Sequence, residues 1–311
     1  MAAALIVGAG DATGGAIAKA FAREGYTACV NRRARNADEL EALVKSIHAE
    51  GYAARAYPAD ARIEEEVVAM VDAIERDVGP IEVAVFNIGA NVNFSILDMT
   101  AQVYRKVWEM AAFAGFLMGR EAARRMVERQ SGTIIFTGAT ASIRGGSGFS
   151  AFSGAKGALR MLAQSMAREL GPKNIHVAHV IIDGGIDTAF IRGIHPDFEA
   201  AKAADGVLSP DAIALQLYQH KNVKKIGIGL PGILTKNRRT LIEITAIPEI
   251  DGSPMIDMLE KRFPEHEFFM ENDANAAALG EFYFSPEKAT MPEDFIFITL
   301  GTGVGGAAVI D

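Results

Sequence analysis

The 311-residue chain has one cysteine, Cys29, and one tryptophan, Trp108. A single thiol cannot close an internal disulfide, so a reducing, cytoplasmic setting is expected. Positive charge is also scarce: 31 Lys and Arg against 39 Asp and Glu leave a net charge of −8. That balance argues against a nucleic-acid partner and against a polybasic membrane anchor. No apolar run approaches the roughly 18 residues that would cross a bilayer, so no membrane partner is expected. The opening MAAALIVGAG lacks a basic leader and a cleavage-type segment, so no signal peptide is expected. His176, His179, His195, His220 and His266 show no metal-ligand spacing with carboxylates, and no metal is expected. Glycine, by contrast, is abundant. Its 31 residues are about 10% of the chain, against a usual share of about 7%.

Much of that glycine lies in turns after apolar runs. Residues 3–8 (AALIVG) read as a buried parallel strand. Residues 14–24 then carry Ala16, Ile17, Ala20 and Phe21 at helical spacing. Between them, Gly8-Ala9-Gly10-Asp11-Ala12-Thr13-Gly14 forms a strand-to-helix turn. Backbone N–H groups of such a turn can meet a diphosphate at the positive end of a helix. A second strand, Tyr26–Asn31, leads into Arg32 and Arg33. At this place a carboxylate would hold the ribose of NAD, whereas arginine would hold the 2′-phosphate of NADP. Two arginines and no acid favour NADP(H). Helix 36–50, strand 53–58 with Asp60 beyond it, helix 63–78 and strand Glu82–Asn87 follow, the last opening into Asn87-Ile88-Gly89-Ala90. This alternation predicts a doubly wound parallel α/β sheet of the Rossmann type.

On the glycine turn, Asp60, Asn87-Ile88-Gly89, Phe152-Ser153-Gly154-Ala155-Lys156 and Ile182-Asp183-Gly184-Gly185-Ile186-Asp187-Thr188, residues 3–220 resemble the short-chain dehydrogenase/reductase family. The helix Ala158–Leu170 and the turn Gly171–Val177 fit the same order. The resemblance implies a dinucleotide held by Gly8, Asp11, Gly14, Arg32, Arg33, Asp60, Asn87, Gly89, Lys156, Ile186 and Thr188. It also implies a small-molecule substrate and a homo-oligomer formed through this domain.

The departures fall on the catalytic positions. The family's acid/base tyrosine, four residues before the lysine, is Phe152. The serine thirteen residues earlier is Ala139, the supporting asparagine is Ala112, and a turn glycine is Ala12. Only Lys156 remains. Phenylalanine has no proton to give, so ordinary carbonyl reduction lacks its general acid. Thr140, Ser142, Ser150 and Ser153 are the hydroxyl neighbours that could stand in. Trp108, Phe113 and Phe116 read as core or as a subunit-interface stripe.

The character changes near His220-Lys221-Asn222-Val223-Lys224-Lys225, after a helix opening at Ser209-Pro210-Asp211. A strand runs into Gly229-Leu230-Pro231-Gly232. A helix over 254–263, a strand over 267–271, a helix over Ala276–Phe284, a strand over Phe295–Leu300 and an apolar run over Ala307–Ile310 follow. The strings Glu271-Asn272-Asp273-Ala274-Asn275 and Leu300-Gly301-Thr302-Gly303-Val304-Gly305-Gly306 resemble the ROK family of sugar kinases and repressors. The resemblance makes Asp273 the base toward a sugar hydroxyl. It makes Gly301, Thr302, Gly303 and Gly305 a turn around ATP phosphates. Several of that family's parts are not found: no Asp-x-Gly-Gly-Thr turn lies before residue 226, Glu249 stands where a sugar-binding asparagine is usual, and no second cysteine serves its zinc module.

The expectation is therefore a dinucleotide-binding domain at 1–220, followed at 221–311 by an incomplete ribonuclease-H-like or actin-like α/β segment. The expected activity is that of an NADP(H)-dependent oxidoreductase with a non-standard site. The alternatives are a noncatalytic dinucleotide-binding protein and, last, a sugar kinase. ATP enters as a cofactor only if the second segment is functional.

Overall fold

A computed structural model describes the chain except at residues 1, 11, 195–196, 204–205, 220–224, 245–247, 265, 285–294, 301–303 and 310–311. Asp11, His195, His220, Gly301, Thr302 and Gly303, singled out above, lie outside the described residues. Two compact units result, Met1–Lys221 and Asn222–Asp311.

The first unit is built on six parallel strands. These are β1 (Ala3–Val7), β2 (Thr27–Asn31), β3 (Ala54–Ala56), β4 (Ile81–Phe86), β5 (Gly132–Ala139) and β6 (Ile175–Ile182), and their spatial order is β3-β2-β1-β4-β5-β6. The order reverses between β1 and β4, so the crevice at their carboxyl ends is the natural ligand position of the fold. Every residue of β1 is buried, as a strand covered on both faces must be.

Helices α1 (Thr13–Arg23) and α2 (Ala37–Ala49) cover one face, and α3 (Glu64–Asp77), α5 (Ala114–Arg129) and α6 (Ser150–Leu170) the other. Between α3 and α5 come β4 and α4 (Ala101–Trp108). In α3, three glutamates in the first turn favour the positive helix end, while Val67, Met70, Val71 and Ile74 form the buried stripe. Beyond β6 lie β7 (Gly185–Ile186), α7 (Ala189–Ile194), α8 (Phe198–Ala203), β8 (Val207–Leu208) and α9 (Pro210–Gln219). The first face is completed by α9. Ile213, Ala214 and Leu217 are buried, Tyr218 meets Phe21 edge-on at 5.5 Å between ring centroids, and its hydroxyl donates to Glu24 at 2.9 Å. Cys29 is buried in the core on the opposite face, and burial pushes its thiol up to about 12.

Three expectations are corrected here. Strand β3 is three residues long rather than six. Pro58 has no N–H to donate, and the Asn31 side chain takes over by donating to the carbonyls of Tyr57 (2.8 Å) and Ala59 (3.1 Å). The aromatic run, expected as core or as an interface stripe, leaves Trp108 and Phe116 42% and 37% exposed, with Phe113 stacked between them at 5.9 and 6.0 Å and packed against the core. It sits at a π-helical turn, Glu109–Phe113, where the buried Ala112 lies.

The second unit contains β9 (Lys225–Leu230), β10 (Ile233–Leu234), β11 (Leu241–Glu243), α10 (Met255–Arg262), β12 (Glu267–Asn272), α11 (Asp273–Phe284), β13 (Phe295–Leu300) and β14 (Val304–Val309). Its ladders are two-stranded: β9 with β12 parallel, β10 with β11 and β13 with β14 antiparallel. Ile256, Phe268 and Met270 form its buried cluster.

The other two corrections concern this unit. Helix α11 begins at Asp273, three residues before its expected start, because Asn272 caps it. The Asn272 side-chain oxygen accepts from the N–H groups of Ala274 (3.0 Å) and Asn275 (3.2 Å). Likewise, β14 begins at Val304, so Gly305 faces Thr299 in a ladder instead of lying in a turn. No helix among the described residues is long and apolar enough to cross a membrane.

Candidate active site

The strand order gathers the amino-terminal turn, the end of β4 and the end of β5 into one place. Gly8 has φ +89°, and a Cβ there would lie 2.9 Å from the backbone carbonyl atoms of Asn87. A Cβ on Gly14 would fall on Gly8 O and lie 2.7 Å from Ala9 Cα. These two glycines let the turn fold back against β4. Gly10, in contrast, has no atom within 4 Å of where its Cβ would be. Asn87 fastens the turn from the other side: its side chain donates to Gly8 O at 3.2 Å and its N–H to Val7 O at 2.8 Å.

Of the cavities that open from this turn, two hold most of the candidate residues. The smaller, about 260 Å³, lies by Gly8, Arg32, Arg33, Asp60, Arg62 and Gly89. Arg32 is ion-paired with Glu39 at 2.7 Å. Asp60 is gripped by Arg62 through 2.9 and 2.5 Å bonds, which hold its carboxyl below the usual carboxylate range. Asp60, expected to contact the dinucleotide, thus lines this cavity with its carboxylate held by the arginine two residues on. Arg33 has no ion-pair partner among the described residues. Burial, helped by the neighbouring Arg35, depresses its pKa.

The larger cavity, about 740 Å³, is lined by Asn87, Ala139, Phe152, Lys156, Ile186 and Thr188, among others. Lys156 and Phe152 stand one helical turn apart on α6, and the Lys156 ammonium sits 5.9 Å from the Phe152 ring centre. Lys156 is 2% exposed and donates to the carbonyls of Thr137 (2.8 Å) and Ile88 (3.0 Å), tying β5 to the end of β4. Burial lowers its pKa to about 8. The Thr188 hydroxyl accepts from the N–H of Ile191 at 3.2 Å. Beside it, Asp187 binds Arg192 (2.6 Å) and Lys202 (2.8 Å), and both cations hold its carboxyl down to about 2.

The four candidate hydroxyls separate clearly. Thr140 donates to Asp183, and Ser142 accepts from the N–H of Ala139 at 3.1 Å. Ser150 and Ser153 are buried hydroxyls without a hydrogen-bond partner, and of these two Ser153 lines the cavity.

Sequence reasoning missed His179 and Arg144. His179 lies on β6 where Gly138 of β5 leaves it room: a Cβ on Gly138 would be 2.7 Å from its Nε2. That nitrogen is buried without a hydrogen-bond partner, and burial, with Lys156 and Arg160 adding, lowers the ring pKa to about 4. Strand alternation put it under α6, but a lone histidine in a strand gave no other signal. The consequence is a pH dependence. The unfolded ring takes a proton near pH 6.5 and the folded one only near 4. Stability is therefore fully present above about 6.5 and falls as pH drops toward 4. Thermal melts of the chain and of His179→Gln between pH 4 and 7.5 check this: the variant is expected to show the shallower acid decline.

In the second unit, Asp273 is exposed at the first turn of α11. Its carboxylate accepts from the N–H of Ala274 at 2.9 Å. Glu271 is ion-paired with Arg238 and accepts from the Asn275 side chain at 3.0 Å. No group of three or more His, Cys, Asp or Glu among the described residues could hold a metal ion.

Comparison with known proteins divides the chain in the same sense. Residues 2–198 match the family model of short chain dehydrogenase, and residues 211–311 that of the ROK family. The chain is 32% identical over 174 residues to a 2-dehydro-3-deoxy-D-gluconate 5-dehydrogenase of Formosa agariphila, covering 56% of this chain and 66% of that protein. It is 31% identical over 173 residues to a 5-keto-D-gluconate 5-reductase of Escherichia coli, covering 56% and 67%. The match thus spans about two thirds of these relatives. Among solved structures, a short-chain dehydrogenase from Rhodopseudomonas palustris is 49% identical, with a TM-score of 0.59, covering 70% of this chain and 90% of that one.

Proposed function

The chain belongs to the short chain dehydrogenase family through residues 2–198, and from that premise we propose that its first unit binds NADP(H) and acts as an oxidoreductase on a small carbonyl compound or its alcohol. The observation that carries the reading is the pair of adjoining cavities. One holds the unpaired Arg33, the other holds Lys156 and Thr188, and the tight Gly8–Gly14 turn lies beside both. The open space over Gly10 suits a diphosphate approached by backbone N–H groups. Arg33 suits a 2′-phosphate, because it forms no ion pair among the described residues and its desolvation favours a new anionic partner. When bound, the dinucleotide supplies or accepts a hydride at its nicotinamide end. Lys156, Ile186 and Thr188 line the cavity where that end would lie. The names of the relatives support a small hydroxylated carbonyl compound as substrate.

The protein's own task is then to move a proton to or from the substrate oxygen. Phe152 cannot do so; Ser153 lines the cavity, and its buried, unpartnered hydroxyl would donate only after turning toward the substrate. A bare serine is a weak acid, so slow turnover is expected. The second reading, dinucleotide binding without turnover, rests on Phe152 itself, which is only 9% exposed and closes the place of a phenol with hydrocarbon. The exposed Trp108 and Phe116, stacked on the half-buried Phe113, support self-association through this unit. For the second unit we propose no sugar phosphorylation.

Titration with NADPH and NADH, followed by ligand fluorescence, tests the cofactor. Saturable binding is expected for NADPH, with NADH weaker. Arg33→Ala should weaken NADPH by about tenfold, the loss of one charged hydrogen bond at about 1.5 kcal/mol, and leave NADH nearly unchanged. Tighter binding of NADH than NADPH overturns the NADP(H) assignment.

A further inference from the structure

The larger cavity reaches past the residues assigned to the dinucleotide, onto the segment between β5 and α6. Its charged lining is one-sided. Arg144 and Lys156 face it, and no carboxylate does, in a chain whose net charge is −8. The two cations are not equivalent. Lys156 is buried and gives two of its three N–H donors to the carbonyls of Ile88 and Thr137. Arg144 is exposed and has no ion-pair partner among the described residues. The nearby acid, Asp183, accepts the Thr140 hydroxyl instead. Arginines lining the two cavities therefore fall into two sets: Arg32 and Arg62 are neutralised by Glu39 and Asp60, whereas Arg33 and Arg144 are not. Gly145 follows Arg144 with open space around it, and Phe149 and Phe152 give the same cavity apolar wall. A planar guanidinium with free donors at the edge of a partly apolar cavity is suited to bidentate capture of a carboxylate.

We infer that Arg144 is a specificity-determining residue that binds a carboxylate on the substrate, so that the site selects hydroxy or keto acids over their neutral counterparts. The inference rests on the oxidoreductase reading above. Arg144 binds the end of the substrate remote from the reacting carbon and takes no part in hydride or proton transfer.

D-gluconate and D-glucitol are a matched test pair, the same carbon chain ending in a carboxylate or a CH2OH. Calorimetric titration of each into the full chain loaded with NADP+ is expected to show gluconate binding at least tenfold tighter. Arg144→Gln should bring the two affinities together, and Arg144→Lys should keep part of the difference. The melting temperature and NADPH affinity of both variants should stay at the unmodified values. Absence of saturable gluconate binding, equal affinities in the unmodified chain, or an unchanged preference in Arg144→Gln overturns the inference. Loss of NADPH affinity in Arg144→Gln also overturns it, by assigning the arginine to the dinucleotide phosphates. If the chain binds neither NADPH nor NADH, the oxidoreductase reading fails. The Arg144 inference is then still judged by the gluconate preference of the unloaded chain.

Discussion

Phe152→Tyr combined with Ala139→Ser is expected to raise carbonyl-reducing turnover by about 10²-fold or more, within the range that a positioned general acid supplies. Although Ala112 leaves the supporting asparagine missing, the lysine and the cavity that such a phenol needs are in place. Residue 152 is one helical turn before Lys156, and the ammonium already lies 5.9 Å from the ring at that position. Lys156 is locked by two carbonyls, so its charge stands at a fixed place and would lower the pKa of a neighbouring phenol. Residue 139 lines the same cavity at the end of β5, so a serine hydroxyl there would face the same space. NADPH consumption with a panel of ketones and keto acids is the measurement, on the single and double variants. The gain should appear in kcat with NADPH affinity unchanged, since neither substitution touches Arg33 or the glycine turn. A double variant no faster than the unmodified chain would mean that more than the acid is missing. Ser153→Ala supplies the converse test: it should lower the residual rate of the unmodified chain and leave the double variant nearly unaffected.

The parts legible in the sequence were those with a local physical signature. The buried run of β1, the helix α3 and the Gly8–Gly14 turn each declare themselves locally, and all three appear as read. The parts that were not legible depend on contacts between distant residues. The Asp60 carboxylate is held by Arg62, and the end of β3 was decided by Asn31 of the neighbouring strand. Local competition hid the start of α11, where Asn272 outdoes Asp273 as the cap. His179 and Arg144 gave no pattern at all. Their interest comes from what does not surround them, a hydrogen-bond acceptor or donor in one case and a carboxylate in the other. Thr140, Ser142, Ser150 and Ser153 were equivalent as letters and were separated only by their partners.

Gly14→Ala is expected to damage both the fold and the dinucleotide site, whereas Gly10→Ala should leave both nearly intact. The two positions lie in the same turn, and by residue type alone they are alike. They differ in what a Cβ meets. At Gly14 it would collide with the carbonyl oxygen of Gly8 and with Ala9 Cα, both backbone atoms that cannot rotate away. Relief requires α1 to move off the end of β1, and strain of this kind costs about 1–3 kcal/mol or more. In a unit of this size each kcal/mol lowers the melting temperature by about 2–4 °C. Helix α1 carries Ile17, Ala18, Phe21 and Ala22 into the core shared with α9, so displacement also loosens the Phe21–Tyr218 contact. The same movement takes the first N–H groups of α1 away from the turn, so NADPH affinity should fall at least tenfold. At Gly10 the added methyl group meets nothing within 4 Å, and the glycine's φ is not positive. Thermal melts and NADPH titrations of both variants decide the matter. A Gly14→Ala protein with unchanged melting and affinity would show that the turn does not hold the helix against the strand. A Gly10→Ala protein that binds NADPH poorly would place the diphosphate closer to the Gly10 Cα than the open space there requires.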